Sequence, residues 1–176
     1  MALSIGDTAP EFELPDTDGR SWPRSAGDGA SATVVVFTCN HCPYALAWHE
    51  RIAQVARDYS GRGVHFLAIN SNDAERYPRD SLEAMKRRVA AESWPMPYLR
   101  DESQEVARAF GAEVTPDVFV LDSDGVLIYR GAPDGDYDDP SLRAQWLRAA
   151  VDSVLAGSKP DQPESRPVGC SIKWKP

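Results

Sequence analysis

Residues 33–38, Thr-Val-Val-Val-Phe-Thr, are β-branched or apolar at every position. The alternation that would leave one strand face in water is missing. Such a segment fits the middle of a sheet covered on both faces by helices. The flanking sequence supplies the rest of that architecture. From Pro43 to about Tyr59, Leu46, Ala53 and Ala56 recur with Ile52, Val55 and Tyr59 at spacings of three and four, and Gly61 follows. That is a helix with a stop signal. Residues 64–69 predict a second buried strand, leading into the loop Asn70-Ser71-Asn72-Asp73. Asp80, with Glu83 three residues on, predicts the cap of a helix reaching Ala91.

The remaining elements are shorter. An extended piece is predicted at 98–99, and a helix at 103–110 closed by Gly111. Residues 118–121 and 126–130 flank Asp122-Ser123-Asp124-Gly125 and predict a β-hairpin. Asp139-Pro140 predicts the start of a last helix, running to about Ala156 with Leu142, Trp146, Ala149 or Ala150, and Val154 as its apolar stripe. The aspartates of Asp134–Asp139 lack the glycine and glutamate spacing of a calcium loop, so they predict a solvated loop and cap. The first 30 or so residues are punctuated by Pro10, Pro15, Asp18-Gly19, Pro23 and Gly27, with extended pieces at 11–14 and 20–22 that read as a hairpin.

This order predicts an α/β fold with a mixed central sheet between helices. Residues 1–157 are expected to form one domain, of which 1–32 are an N-terminal hairpin extension. Residues 158–176 form a tail with four prolines. Its end, Val168-Gly169-Cys170-Ser171-Ile172-Lys173-Trp174, is apolar and aromatic, so it is expected to dock on the body. Composition narrows the function. A net charge of −8 without a Lys/Arg cluster opposes nucleic-acid binding. No apolar run approaches the roughly 18–20 residues that span a bilayer. The N-terminus lacks a basic, then apolar, leader, so the expected location is cytoplasmic.

Thr38-Cys39-Asn40-His41-Cys42-Pro43 stands where the buried strand turns into the first helix. Cys39 is expected at the exposed helix N-terminus, where unpaired N–H groups stabilise a thiolate. Cys42, three residues on, can form a disulfide with it. A protonated His41 would add positive charge, stabilise the reduced form and strengthen the disulfide as an oxidant. Structural zinc needs four ligands, usually as two pairs. Here only His41, His49, His65 and the distant Cys170 could join the cysteines, so no metal and no cofactor are expected. Thr115-Pro116, about 75 residues after the dithiol, enters the hairpin strand, where its backbone could pair with an incoming chain.

These residues, with Gly6-Asp7-Thr8-Ala9-Pro10-Glu11-Phe12 near the N-terminus, resemble the thioredoxin-like superfamily. Within it they are similar to the redoxin branch of alkyl hydroperoxide reductase and thiol-specific antioxidant proteins. Phe37–Tyr44, Ile69–Asp73, Thr115-Pro116-Asp117 and the Gly169–Trp174 tail look like a peroxiredoxin-like subgroup with a CxxC motif. The resemblance implies a thioredoxin-like fold. It implies Cys39 as the attacking thiol, Cys42 as the resolving thiol, and Pro116 as a cis-proline preceded by Thr115, with Asn40 and His41 supporting. The implied activity is thiol–disulfide exchange with protein or small-molecule thiols and disulfides, using an external reductant. Two alternatives are a thiol peroxidase working through Cys39 and a non-catalytic thiolate metal module, as for Cu(I). Peroxidases of this branch carry Thr three residues before the attacking Cys and a Pro further upstream. Here Thr38 adjoins Cys39 and the strand has no Pro. Thioredoxin carries a buried acid where this chain has Thr33, which leaves Glu50 as a candidate proton acceptor. Trp48 and His49 are expected to pack the first helix, and Cys170 is expected to be a structural thiol.

Overall fold

A computed structural model describes residues 2–25 and 29–176; Met1 and Gly27 of the turn-rich segment lie outside the described residues. In chain order the strands are β1 Glu13–Pro15, β2 Ser21–Pro23, β3 Ala32–Phe37, β4 Val64–Asn70, β5 Tyr98–Arg100, β6 Val114–Thr115, β7 Asp117–Asp122, β8 Leu127–Gly131 and β9 Cys170–Ser171. The helices are α1 Pro43–Asp58, α2 Leu82–Glu92, α3 Glu105–Phe110 and α4 Gln145–Leu155.

The central sheet has the order β5-β4-β3-β7-β8, which puts β3 in the middle with all six residues buried. Val34 and Val36 pack with Trp48, Ile52 and Val55 of α1, Met85 of α2, and Leu147 and Val151 of α4. Val35 and Phe37 pack on the other face with Phe110 of α3, Leu3, and Ile172 of the tail. Each such buried side chain contributes about 1.5–3 kcal/mol, so continuous burial on both faces anchors the sheet. β3 runs parallel to β4 and antiparallel to β7, with Phe37 opposite Asp117. The residues that follow β3 therefore meet those that precede β7 at one end of the sheet. The N-terminal hairpin forms as expected, with Leu14 opposite Trp22.

Two helix starts differ from the sequence expectation. The cap of α2 is Ser81, whose side chain accepts from Ala84 N–H, whereas Asp80 ends a short 3-10 turn and is buried. The last helix is not continuous from Pro140. Pro140–Leu142 form one 3-10 turn, Arg143 and Ala144 turn left-handed, and α4 begins at Gln145. Of the predicted stripe Ala150 is buried, and the other buried residues of the helix are Leu147 and Val151. The cause is Asp134, predicted as part of a solvated loop but fully packed inside. Its carboxylate accepts from Trp48 Nε1, Arg51 Nη1 and Ala144 N–H at 2.8–2.9 Å. These bonds outweigh the roughly 1–2 kcal/mol that each left-handed residue costs.

The tail docks. β9 pairs antiparallel with β6, Cys170 opposite Thr115. Lys173 N–H donates to Asn72 Oδ1, Gln104 Nε2 donates to Lys173 O, and Ile172 is 3% exposed. A Cβ on Gly169 would overlap the Thr115 carbonyl, so only glycine allows this approach. Ile172→Ala is expected to lower the unfolding free energy in urea by about 2–5 kcal/mol, as for other buried Ile truncations. A loss below about 0.5 kcal/mol, the size of an ordinary surface substitution, would place the tail outside the cooperative core.

Candidate active site

Cys39 and Cys42 lie in the turn from β3 to α1, and Thr115 faces both. Cys39 Sγ is 3.3 Å from Thr115 Oγ1. Cys42 Sγ is 3.3 Å from Thr115 O, a hydrogen bond when that thiol carries its proton. The Thr115–Pro116 peptide is cis. Ala45, Tyr44 and Cys170 complete a small apolar cluster around the two sulfurs. Both cysteines are reduced, at 1% and 0% exposure.

This corrects the expectation that Cys39 sits exposed at the helix N-terminus. Pro43 occupies the first helical position, where its missing N–H costs nothing. Cys42 is therefore the N-cap, and Cys39 lies one turn upstream of the helix. The Cys42 thiol is lowered to about 4, first by a hydrogen bond from the Cys39 thiol and then by Ala45 N–H, with Cys170 and Thr115 adding to both and burial opposing. The Cys39 thiol is pushed up, chiefly because it donates that bond, then by burial and by the charge of Asp80. The reduced pair thus holds one proton between two sulfurs, and its negative charge rests on Cys42.

The charged surroundings come from residues that sequence reasoning assigned elsewhere. Asp80 Oδ1 accepts from Asn40 N–H at 2.7 Å and Asn70 Nδ2 at 3.0 Å, and Oδ2 accepts from Asn72 Nδ2 at 3.0 Å. His41 Nδ1 is 2.5 Å from Asp80 Oδ2 but off the N–H axis, and its ring stacks on Tyr77. His41 therefore offsets a carboxylate rather than standing alone beside a thiolate. Asn40 Oδ1 accepts from Tyr98 Oη at 2.8 Å and Arg88 Nη1 at 3.2 Å, and Arg88 Nη1 also donates to Cys39 O at 2.9 Å. The polar run Asn70-Ser71-Asn72-Asp73 at the end of a buried strand was the one sequence sign of this network. Nothing local pointed to Arg88 or Tyr98.

Cys39, His41 and Asp80 hold possible ligand atoms within 4.8 Å of one another. The Asp80 oxygens are already engaged by three amide donors and His41, and the Cys39 thiol is held protonated. That donor set favours proton handling over a metal. The other candidates fall away from the sulfurs. Thr33 is buried at the opposite end of β3, and Glu50 is exposed and paired with Arg57. Trp48 donates to Asp134, and His49 stacks near Trp94 with burial lowering its pKa to about 4. Both pack α1, as expected.

Comparison with known proteins bears on the family and the fold. The redoxin family model matches residues 4–145. The thiol-disulfide oxidoreductase ResA of Geobacillus thermodenitrificans is 25% identical over 126 residues, covering 70% of this chain and 67% of its own. An uncharacterized conserved protein from Geobacillus kaustophilus is 41% identical with a TM-score of 0.93, over 99% of this chain and 94% of that one. A putative thioredoxin from Neisseria meningitidis, 22% identical with a TM-score of 0.69 over 87% of this chain and 93% of its own, shares the fold.

Two outcomes follow from the electrostatics. Thiolate absorbance of the reduced protein should persist down to a midpoint near pH 4. In Cys39→Ala the midpoint should rise, because the strongest donor to Cys42 is gone. A wild-type midpoint in the ordinary thiol range of about 8.5 would refute the assignment. His41→Gln should leave Asp80 less compensated beside Cys39. Equilibration with glutathione across pH 5–8 should then show a lower reduction potential, by about 30 mV for each tenfold change in the equilibrium constant. Equal potentials throughout would mean that His41 has no redox role.

Proposed function

The chain belongs to the redoxin family, and from that footing we propose that it is a thiol–disulfide oxidoreductase cycling Cys39 and Cys42 between dithiol and disulfide. The observation that carries this reading is the pair of buried sulfurs, each 3.3 Å from Thr115, at the end of the sheet. Similarity to a named thiol-disulfide oxidoreductase supports it.

In the reductive direction, Cys39 passes its proton to the Cys42 thiolate as its sulfur attacks a substrate disulfide. One substrate sulfur bonds to Cys39 and the other leaves with the electron pair and takes up a proton. Cys42, stabilised as a thiolate by Ala45 N–H, regenerates readily and attacks Cys39 Sγ. The Cys39–Cys42 disulfide forms and the second substrate sulfur departs as a thiol. Substrate has gained two electrons, which an external thiol reductant restores. Cys39 attacks as the thiolate formed when its proton passes to Cys42, and Cys42 suits resolution because it keeps its charge. The peroxidase alternative is disfavoured because the chain lacks the Thr three residues before Cys39 and the upstream Pro that peroxidases of this branch carry.

Cys42→Ser should accumulate a mixed disulfide through Cys39 when incubated with insulin, and Cys39→Ser should not. Both variants should lose catalysed insulin reduction by dithiothreitol. Trapping that survives Cys39→Ser and needs Cys42 would reverse the roles. Oxidation of Cys39 by hydrogen peroxide should proceed at the rate of an ordinary thiol; a rate several orders faster would select the peroxidase.

A further inference from the structure

The backbone edge expected to receive an incoming chain is already occupied. Thr115 pairs in register with Cys170, so the tail of this chain lies where a substrate strand would lie beside the sulfurs. Cys170 is half-buried and packs into the same cluster as Cys39 and Cys42. Its thiol packs against the cluster that holds Cys42. The register is not loose: Gly169 permits the close approach to Thr115, and Ile172 and Lys173 pin the next two positions. Three sulfurs, Cys39, Cys42 and Cys170, thus share one cluster beside Thr115.

We propose that Cys170 is a third redox-active thiol, exchanging with the Cys39–Cys42 disulfide by attack on Cys42 Sγ. The inference rests on the dithiol reading above. A Cys170–Cys42 bond forms as the Cys39–Cys42 bond breaks. The electron pair goes to Cys39 sulfur, which takes up the proton that Cys170 gives. No net oxidation occurs; the disulfide moves from Cys39 to the tail and leaves Cys39 as a thiol.

The resting state restrains this step. Burial, followed by the hydrogen bond to Cys42 and the charge there, pushes the Cys170 thiol up to about 11. Once Cys42 is in a disulfide it carries no charge, and burial, opposed by the Lys173 charge, is what stays. Oxidation of the first pair thereby readies Cys170 to attack. The exchange gives the tail a definite role: the oxidising equivalent is passed to a strand that sits on the docking edge, next to the residue that would contact a partner.

The test uses the full chain oxidised in glutathione buffers between pH 6 and 8, acid-quenched, alkylated, and mapped by mass spectrometry without reduction. One thiol per oxidised chain stays free. The two disulfides are expected to lie within about tenfold of each other, so Cys39 carries at least roughly a tenth of the alkyl label and Cys42–Cys170 peptide is seen. In Gly169→Ala, where the register with Thr115 is broken, the Cys39 share should fall at least severalfold. Label confined to Cys170 in the oxidised wild type overturns this proposal alone, as does an unchanged Cys39 share in Gly169→Ala. Cys39 and Cys42 both staying reduced at every glutathione ratio overturns the dithiol reading, and this one with it.

Discussion

The contacts of Thr115 hold the site together. Its hydroxyl meets Cys39, its carbonyl meets Cys42, and its backbone pairs with Cys170. These groups come from the β3–α1 turn, the lead into β7, and the tail, which are far apart in sequence. A buried polar group left without a partner costs about 1–3 kcal/mol, so each contact constrains the others. The tight approach of Gly169 shows how little space the arrangement leaves.

The second constraint is the buried carboxylate of Asp80. Burying a charge is costly unless it is hydrogen-bonded, and here two asparagine amides, a backbone N–H and His41 surround it. Asn40 belongs to this shell and also holds Arg88 and Tyr98, and Arg88 in turn grips the Cys39 carbonyl. The dithiol turn is therefore held by polar groups on one side and by Thr115 on the other. The bond between the two sulfurs comes first in keeping Cys39 protonated, followed by burial and the charge of Asp80, and the same bond and then Ala45 N–H favour Cys42 as thiolate. The asymmetry of the two sulfurs follows from that placement rather than from their order in the motif.

Much of the architecture was legible in the sequence because burial leaves a local trace. The apolar run of β3, the three-and-four spacing of α1, the Asp-Gly hairpin turns and the aromatic end of the tail each predicted an element that the structure contains. The dithiol was legible for the same reason, since a paired cysteine motif at a strand-to-helix turn is local. The misjudged places are those where a distant side chain decides. Asp80 resembles a helix cap until Asn70 and Asn72 are seen to surround it. Asp139-Pro140 resembles a helix start until Asp134, held by Arg51 and Trp48, pulls Ala144 into a left-handed turn.

By itself the sequence determined the mixed sheet and the position of the two cysteines at its end, while the pairing of Thr115-Pro116 with them was implied only by the family resemblance. Periodicity, turn chemistry and motif spacing are properties of adjacent residues, and they survive without coordinates. Only the tertiary structure decided which sulfur carries the charge, that His41 is matched by Asp80, and that Cys170 joins the pair. Those depend on distances of a few ångströms between residues tens of positions apart. Hydrogen bonds and burial act at that range, and no local pattern records them.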